Sequence, residues 1–454
     1  MECVYRLLPT VNQYDWGKPS ENSLVYLLFK NYLKLKFVKE WNLDLHGPFS
    51  ELWLGTHPSS PSLVLPSGER DVTLGSFEAS FEGISSDSSP FSRLGMHLSE
   101  LFNKMNSTST GLVRRNLLIL LKVLSIQKPL SIQIHPDDKT AIELFTARYP
   151  GIVDNYSKPE MCIALSKFRA MCGFRDIFEI FKFSDKHDEF KKFLGKELTS
   201  SYSYSNPKTL YIEILNRVFF SPNLGELAEK LARRLKGFTD PDLPEAFFLA
   251  LYNAYGPDNC VFFAFILNCF ELEPGQALFI PPNTIHSYVS GDCVEIMKCS
   301  DNVIRCGLTS KPRDAKLCIS LLEENLKNPS AKDFYVTPTK VSDYIFKYDP
   351  QDPVCNFTVW SFTLNPGDED TFVSSNEPCL CIVLDSNPEV TFRLNPSPNC
   401  TTSPPQETFI LKVDVGDCFL LSPNTELNAK NDHRLSGFKM YISSEKSSTT
   451  NVNT

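Results

Sequence analysis

The chain has 454 residues, of which 42% are apolar, and its 45 basic and 54 acidic side chains give a net charge of −9. This length allows two or three domains with a large core, and the acidic balance argues against a general nucleic-acid-binding surface. The most apolar runs, Leu117–Leu124 and Val261–Phe270, are too short to cross a bilayer, so we expect no membrane span.

The N-terminal segment, Met-Glu-Cys-Val-Tyr-Arg-Leu-Leu-Pro, lacks the long apolar stretch of a secretory signal peptide. The 14 cysteines are scattered and include no Cys-x-x-Cys pair. Scattered, mostly buried thiols are typical of proteins in a reducing compartment. We therefore expect a cytoplasmic protein without disulfide bonds.

The most informative segment, residues 131–139, reads Ser-Ile-Gln-Ile-His-Pro-Asp-Asp-Lys and lies in a β-prone part of the chain. Gln133 and His135 are two positions apart, and side chains at that spacing on a strand point to the same face. A polar pair that faces a packed interior needs partners, and a metal ion is one way to supply them. The segment is therefore a candidate for half of a metal site.

Two further ligand-type side chains follow downstream. Glu160 opens an apolar run, and His286 comes just after the strand-like residues 277–280. With Gln133 and His135 they provide nitrogen and oxygen donors without a thiolate, a set that suits zinc and also iron, manganese or nickel. The spacing is too wide for a linear metal motif, so the residues alone leave hydrogen-bonded core histidines as the alternative.

Residues 166–258 are predicted to form a helical insertion. Within it, five apolar side chains fall on one helix face: Leu224, Leu227, Ala228, Leu231 and Leu235. Ser221 is predicted as the N-cap of this helix, Pro222 as its first residue and Gly237 as the residue past its end. The apolar face indicates core packing.

From residue 259 onward the pattern returns to short strands separated by Pro, Gly and Asn. Residues 271–284 resemble residues 412–425, with Gly275 matching Gly416 and a shared Pro-Asn-Thr sequence at the end of each segment. The offset of 141 residues (416 minus 275) suits a duplicated domain, and turn–strand–turn repeats of this kind suit jelly-roll barrels.

The two copies of the repeat differ two residues after their shared Pro-Asn-Thr sequence. The first copy has His286 at that point, and the second has Leu427. If the repeat is real, one copy kept a polar site that the other lost, which favours a ligand role for His286. The chain ends in a Ser-, Thr- and Asn-rich tail from Ser443 that is predicted to be disordered.

An ordered set of motifs extends over most of the chain. They are Tyr14-Asp-Trp-Gly17, Glu51-Leu-Trp-Leu-Gly-Thr-His-Pro58, Lys122-Val-Leu-Ser125, Leu130-Ser-Ile-Gln-Ile-His-Pro136, Lys158-Pro-Glu-Met161, Gly291-Asp-Cys-Val-Glu295, Ser300-Asp-Asn-Val-Ile-Arg305 and Gly307-Leu-Thr309. By these motifs and their order, the chain resembles the type I mannose-6-phosphate isomerases (phosphomannose isomerases), zinc enzymes of the cupin superfamily.

The resemblance implies a role for each matching position. The ligands of one Zn²⁺ per chain would be Gln133, His135, Glu160 and His286, and Arg305 would be the catalytic arginine. The substrate-binding residues would be Trp16, Lys122, Ser131, Lys158, Tyr288, Glu295, Asp301 and Lys311. Of these, Lys122 and Ser131 would help to bind phosphate, and Lys158, Glu295, Asp301 or a zinc-bound hydroxide would carry the proton.

The resemblance also implies the architecture, a mainly β protein with two cupin-like barrels (jelly-roll, double-stranded β-helix) and an α-helical domain. The predicted catalytic cupin domain comprises residues 1–165 and 259–320, and the helical insertion comprises residues 166–258. The C-terminal cupin-like domain would span residues 321–442, followed by the disordered tail at 443–454.

The implied reaction interconverts mannose 6-phosphate and fructose 6-phosphate through an enediolate and supplies mannose for GDP-mannose synthesis and glycosylation. We expect a monomer whose partner is a small sugar phosphate. One segment departs from the family pattern: Asn155 is followed by Tyr156-Ser157-Lys158, where the family has Asn-His-Lys. A pocket histidine is therefore missing and one residue is added. The alternatives are a non-catalytic sugar-phosphate-binding homologue and an iron cupin dioxygenase.

Overall fold

The computed structural model describes residues 3–35, 38–65, 98, 100, 117–201, 206–222, 224–236, 244–326, 330–387, 390–396 and 409–446. The chain forms two compact units. The first comprises residues 1–124, 295–299 and 337–454, and the second comprises residues 125–294 and 300–336. The division into three domains and a tail stays a prediction, although strand Phe438–Glu445 includes the first three residues of the predicted tail. Residues 447–454 lie outside the described residues.

The first unit consists mainly of antiparallel strands. Its elements are β1 (Val4–Leu8), β2 (Thr10–Asn12), β3 (Lys18–Pro19), α1 (Leu24–Phe29), β4 (Pro48–Phe49), β5 (Glu51–Gly55), β6 (Leu63–Val64), β7 (Ile119–Ile126, to residue 124), β15 (Thr339–Lys340), β16 (Ile345–Tyr348), β17 (Phe357–Leu364), β18 (Glu369–Val373), β19 (Cys379–Asp385), β20 (Val390–Pro396), β21 (Phe409–Lys412), β22 (Cys418–Leu421), β23 (Thr425–Asn431) and β24 (Phe438–Glu445). Short 3₁₀ turns occupy Ser20–Asn22, Tyr32–Lys34 and Val38–Trp41.

Two sheets of this unit enclose an apolar core. One has eight strands in the order β15-β16-β17-β24-β19-β22-β1-β6, and the other has four in the order β18-β23-β20-β21. Phe392 packs edge to face against Phe419 and Phe438, with ring centroids 6.2 and 5.6 Å apart. Because alternate residues of each strand point inward, the two inner faces supply one continuous core. β5 also pairs with β2 and β7, and β3 with β4.

The second unit combines strands with most of the described helices. Its strands are β8 (Ile132–Ile134), β9 (Glu160–Ala164), β10 (Phe168–Phe174), β11 (Leu267–Leu272), β12 (Ala277–Ile280), β13 (His286–Lys298, to residue 294) and β14 (Ile304–Gly307). Its helices are α2 (Asp138–Thr146), α3 (Ile177–Lys186), α4 (Asp188–Leu194), α5 (Lys196–Ser201), α6 (Pro207–Phe220), α7 (Gly225–Arg234), α8 (Pro244–Tyr255), α9 (Phe263–Ile266) and α10 (Ala315–Asn325). Two 3₁₀ turns occupy Asn259–Phe262 and Ala331–Phe334.

The strands of the second unit pair in a way that brings distant segments side by side. β10 pairs with β11 and β13, β9 pairs with β12 and β13, and β8 lies between β13 and β14. Stacked rings join the helices to this sheet, since Phe174 of β10 stacks on Tyr211 of α6 with ring centroids 4.7 Å apart. The prediction of a mainly β protein with a helical part is therefore confirmed.

The helical region differs from the prediction at its edges. Residues 168–174 form β10 because they pair with β11 and β13, so helix begins only at Ile177. At the other end, helical turns continue past residue 258 to Ile266. The helical region therefore does not begin and end at residues 166 and 258, the limits that composition suggested, because short helices pack directly on the sheet.

The predicted helix start at Ser221 is wrong. Ser221 is the C-cap of the preceding helix α6, and α7 begins at Gly225. The amide of Leu224 donates a 3.0 Å hydrogen bond to the Asn259 side chain. This amide just before α7 therefore has a partner outside the helix. The apolar face is confirmed, since Ala228 and Leu231 are buried, and Gly237 lies outside the described residues.

The internal repeat has a structural counterpart. Gly275 and Gly416 both have φ of 90°, and Asn283 and Asn424 have φ of 59° and 55°. Glycine and asparagine are the residues that adopt this left-handed backbone most readily. The segments between them form the equivalent strands β12 and β22, so the two copies share one local backbone path.

The remaining expectations concern the cysteines and the membrane. No disulfide joins any of the 13 cysteines within the described ranges. None of the described helices combines the length and the apolar character that a bilayer crossing requires.

Candidate metal centre

Three predicted site residues lie in a row across neighbouring strands. Gln133 on β8 is the direct antiparallel partner of His286 on β13 and of Arg305 on β14. Directly paired residues of antiparallel strands project their side chains to the same face. Strand pairing therefore places one imidazole, one amide and one guanidinium on a single face of the sheet.

The predicted metal ligands converge on the carboxylate of Glu160. His135 Nε2 lies 3.4 Å from Glu160 Oε1, and His286 Nε2 lies 3.4 Å from Glu160 Oε2. Gln133 Nε2 lies 3.3 Å from His286 Nε2. His135, Glu160 and His286 are at most 2% exposed, and one ligand atom from each lies within 4.8 Å of the others. Among the residues the structure describes, this is the one such cluster of His, Cys, Asp and Glu.

The hydrogen bonds around the two imidazoles fit a metal site. His135 Nδ1 lies 2.7 Å from the Asn302 carbonyl and His286 Nδ1 lies 2.8 Å from the Thr284 carbonyl. A carbonyl only accepts, so each Nδ1 carries the hydrogen and each Nε2 presents a lone pair to Glu160. This is the arrangement in which an outer partner orients a metal-binding histidine.

Two buried acceptor atoms of the cluster lack hydrogen bonds. Neither His135 Nε2 nor Glu160 Oε2 has a hydrogen-bond partner among the described residues. Leaving such atoms unsatisfied in the interior is costly, and a divalent cation would satisfy both. A half-turn of the Gln133 amide would present its oxygen to the same point. The residues present therefore fit a metal ion.

The electrostatics favour the protonation states that bind a cation. Burial lowers the pKa of His135 from 6.5 to about 4, although Glu160 acts in the opposite direction. Burial alone would raise the pKa of Glu160, but Lys158 and His135 outweigh it and hold the pKa well below its usual value. At neutral pH the cluster therefore combines a neutral His135 with an ionised Glu160.

A buried lysine adjoins the cluster. Lys158 Nζ lies 2.9 Å from Glu160 Oε1, and its side chain is 8% exposed. Tyr288 lies two residues after His286 on β13, so both side chains face the same way, with ring centroids 6.4 Å apart. Ser131 is half-buried just before β8. The structure thus brings Lys158 and Tyr288 to the predicted metal ligands.

Asp301 and Lys311 lie in the same unit but are exposed. The backbone amide of Asp301 donates to the carboxylate of Asp154 at 2.9 Å, and the amide of Lys311 donates to the Thr309 hydroxyl at 3.1 Å. These hydrogen bonds hold the backbone on either side of β14. They involve the backbone amides of Asp301 and Lys311 and not their side chains.

The remaining predicted pocket residues belong to the first unit. Lys122 Nζ lies 3.2 Å from Glu295 Oε2 in a buried ion pair and 4.8 Å from the centre of the Trp53 ring. Trp16 stacks on Tyr14 with ring centroids 5.6 Å apart. A desolvated lysine between a carboxylate and an indole is held in one position.

Within the described residues, the second copy of the repeat shows no equivalent cluster. Cys379 pairs with Leu421 as Glu160 pairs with Ile280. His286 is matched by the buried Leu427. Thiol and aliphatic side chains there replace the carboxylate and the imidazole, so the described part of the second copy presents an apolar interior where the first presents metal-type donors.

Sequence reasoning did not single out the residues that hold the ligands in place. Asn302 accepts from His135 through its carbonyl, and the backbone amide of Asn283 donates to the His135 carbonyl at 2.7 Å. Asn302 stands inside the motif that ends in Arg305, and Asn283 inside the repeat. Both contacts to His135 run through main-chain groups, so the only signal in the sequence was the position of the two asparagines within these segments.

Comparison with known proteins agrees with this geometry. The family model for the catalytic domain of type I phosphomannose isomerase matches residues 4–177. A probable mannose-6-phosphate isomerase of Dictyostelium discoideum is 35% identical over 409 residues, covering 86% of this chain and 85% of that protein. The Homo sapiens mannose-6-phosphate isomerase is 32% identical over 377 residues, covering 78% and 81%.

Solved structures share the fold. A zinc-bound mannose 6-phosphate isomerase superposes with a TM-score of 0.68 at 20% identity, covering 98% of this chain and all of that one. A variant of phosphomannose isomerase from Salmonella typhimurium superposes with a TM-score of 0.66 at 21% identity over the same shares. Together with the two relatives above 30% identity, these findings establish that the chain belongs to the type I mannose-6-phosphate isomerase family.

Proposed function

We propose that this chain binds one Zn²⁺ through Gln133, His135, Glu160 and His286 and interconverts mannose 6-phosphate and fructose 6-phosphate. The observation that carries the proposal is the buried convergence of two imidazoles on one carboxylate, with acceptor atoms that lack hydrogen bonds. The relatives named above are mannose-6-phosphate isomerases, and one solved neighbour is described as zinc-bound.

The donor set suits catalytic zinc. One carboxylate and three neutral ligands leave the centre with net positive charge, and nitrogen and oxygen donors without thiolate are typical of catalytic sites. When bound, zinc supplies a Lewis acid that polarises the carbonyl and hydroxyl oxygens of the sugar. Gln133, His135, Glu160 and His286 hold it at the face that also carries Arg305.

Arg305 would stabilise the negative charge that develops on the enediolate. Its guanidinium keeps its proton at all ordinary pH values, so it serves as an electrostatic clamp rather than as a base. Its strand pairing with Gln133 supports this role because it fixes the guanidinium on the ligand-bearing face. Removing one such donor commonly lowers turnover by about 100- to 1000-fold.

The proton must move between two adjacent sugar carbons. Lys158, Glu295 and Asp301 are the candidate carriers among the side chains. Lys158 is buried beside Glu160, Glu295 is engaged in an ion pair with Lys122, and Asp301 is exposed. We assign Trp16, Ser131, Tyr288 and Lys311 to substrate contacts, with Lys122 and Ser131 binding phosphate.

We also propose that the two copies of the repeat belong to two cupin-like barrels, of which only the first retained a metal site. The shared turn geometry at Gly275 and Gly416 supports the duplication, and the substitution of His286 by Leu427 supports the loss. In this proposal the protein is a cytoplasmic monomer that supplies mannose for GDP-mannose synthesis.

The direct test uses purified protein with mannose 6-phosphate and follows fructose 6-phosphate formation before and after treatment with a chelator. We expect turnover that the chelator abolishes and added Zn²⁺ restores. Binding of the sugar phosphate without turnover would support a non-catalytic homologue instead. Iron in the purified protein together with oxygen consumption would support a dioxygenase.

A further inference from the structure

We propose that Asn302 is a positioning residue that fixes His135 for metal binding and ties the segment before β9 to the segment before β14. The proposal rests on the proposed metal site and adds to it a residue outside the ligand set. Asn302 is 0% exposed and lies three residues before Arg305. Its position therefore links a ligand to the strand that carries the guanidinium.

The first contact is to the ligand itself. The carbonyl oxygen of Asn302 accepts a 2.7 Å hydrogen bond from His135 Nδ1. This bond fixes both the tautomer and the rotation of the ring, since His135 Nε2 can face Glu160 only while Nδ1 points to Asn302. The direction of the Asn302 carbonyl therefore sets the direction of the His135 lone pair.

The side chain of Asn302 holds that carbonyl in place. Its Oδ1 accepts from the amides of Val153 and Asp154 at 3.0 and 3.4 Å. Its Nδ2 lies 2.9 Å from each of three acceptors, the carbonyls of Asp154 and Tyr156 and the carboxylate oxygen Oδ1 of Asp154. A buried amide whose donors and acceptor are all hydrogen-bonded makes the chain around it rigid.

Asp154 completes the network from the other side. Its Oδ1 accepts from the Ser300 hydroxyl at 2.8 Å and from the Tyr156 amide at 3.0 Å, and its Oδ2 accepts from the Asp301 amide at 2.9 Å. Ionised acceptors make stronger hydrogen bonds than neutral ones. Hydrogen bonds from both side chains thus bind the segment 153–156 to the segment 300–302.

This network surrounds the segment that leads into β9. The segment Asn155-Tyr156-Ser157-Lys158 leads directly to Glu160, which opens β9. The main-chain groups of Tyr156 are bound by Asp154 and Asn302. The network therefore fixes the main chain four residues before Glu160, whose carboxylate lies 3.4 Å from His135 Nε2.

The test compares Asn302→Asp with a matched control, Asn259→Asp. The first change keeps the side-chain shape but removes the Nδ2 donors and places a second carboxylate against Asp154. Asn259 is also a buried asparagine of the same unit, and it holds the amide of Leu224 and the carbonyls of Val218 and Pro222. Both changes therefore disturb a buried amide network, but only one touches a ligand.

Three quantities are measured on each purified full-length variant. They are the Zn²⁺ dissociation constant by competition with a chromophoric chelator, the visible absorption spectrum of the Co²⁺-loaded protein, and the unfolding temperature of the metal-free protein. We expect Asn302→Asp to weaken zinc binding by about 10- to 100-fold, the range for disturbing an outer partner of a ligand, because the carbonyl that orients His135 loses the side-chain contacts that hold it. The Co²⁺ spectrum should change as well. Asn259→Asp should lower the unfolding temperature and leave both metal readouts at wild-type values.

Wild-type zinc affinity in folded Asn302→Asp, or an equal loss in Asn259→Asp, would overturn the proposal. If Asn302→Asp does not fold, Ser300→Ala decides, because it removes the hydroxyl that donates to Asp154 and to the Tyr156 carbonyl and accepts from the Asn302 amide. Weaker zinc binding in Ser300→Ala supports the proposal, and unchanged binding overturns it. Turnover of mannose 6-phosphate is assayed separately. If the wild-type protein binds zinc without turnover, the proposed reaction is contradicted, but the zinc affinities of the variants still decide the role of Asn302.

Discussion

Arg305 is the direct cross-strand partner of Gln133, on the side of β8 opposite to His286. The guanidinium and the metal-type ligands therefore share one face because of strand register rather than because of flexible loops. Sites carried on paired strands hold their groups more precisely than sites on loops. This relationship connects the fold of the second unit to the proposed chemistry.

The first prediction concerns a ligand. His286→Ala should lose both zinc and turnover, because it removes the buried ring nitrogen Nε2, a proposed zinc ligand that lies 3.4 Å from the Glu160 carboxylate. The loss of zinc affinity should exceed the roughly 10- to 100-fold effect of removing an outer partner. Metal content and fructose 6-phosphate formation are the measurements, with His46→Ala as the control since His46 is exposed. Full activity in zinc-free His286→Ala protein would refute the ligand assignment.

The second prediction separates binding from catalysis. Arg305→Ala should keep stoichiometric zinc and lose about 100- to 1000-fold in kcat, because the proposed role of the guanidinium is to stabilise developing charge and not to hold the metal. Arg305→Lys should recover part of the loss, since it restores the charge without the planar fork. Arg313→Ala, which breaks a half-exposed ion pair with Asp258, is the control. Loss of zinc from Arg305→Ala would contradict the assigned role.

The third prediction follows from the lowered pKa of His135. Its pKa is about 4 in the folded protein against an ordinary value of 6.5, so the unfolded chain takes up this proton first as the pH falls. The stability of the metal-free protein should therefore decline between pH 6.5 and pH 4, by up to about 3 kcal/mol from this group. Above pH 6.5 the group has no further effect.

His135→Gln removes that titration and should flatten the pH dependence. The measurement is urea unfolding of zinc-free wild-type and variant proteins at pH 7 and pH 4.5. Equal losses of unfolding free energy in the two proteins would contradict the buried, neutral state of His135.

The fourth prediction tests the turn of the second repeat. A Cβ at Gly416 would lie 1.9 Å from the backbone oxygen of Leu28, whereas a Cβ at Gly367, which has a similar positive φ, would meet nothing within 4 Å. Gly367→Ala should cost about 1–2 kcal/mol from left-handed backbone alone. Gly416→Ala should cost clearly more, because the backbone of α1 must also move. Chemical denaturation of both variants decides, and similar costs would argue against the close approach.

Side-chain alternation was enough to place two predicted ligands on one face. The two-residue spacing of Gln133 and His135 in a β-prone segment predicted a shared face, and both side chains lie at the candidate metal centre. The repeat predicted the contrast between His286 and Leu427, because matching glycines and asparagines fix matching backbone turns. Local spacing thus carries information about a single strand or turn.

Other features depend on contacts between segments that spacing does not specify. The alignment of Arg305 with Gln133 is a matter of register between two strands about 170 residues apart in the chain. The Asn302 carbonyl carries no side-chain signature at all, and the start of α7 depends on the Asn259 side chain. Residues 168–174 became a strand because β11 and β13 are available as partners.

The central claim is that His135, Glu160 and His286 hold zinc. Crystals of this protein measured at the zinc absorption edge give an anomalous difference map that locates the metal. We predict one peak at about 2.0–2.2 Å from His135 Nε2, His286 Nε2 and the Glu160 carboxylate. A zinc-loaded, active crystal with its peak at other residues would contradict the claim.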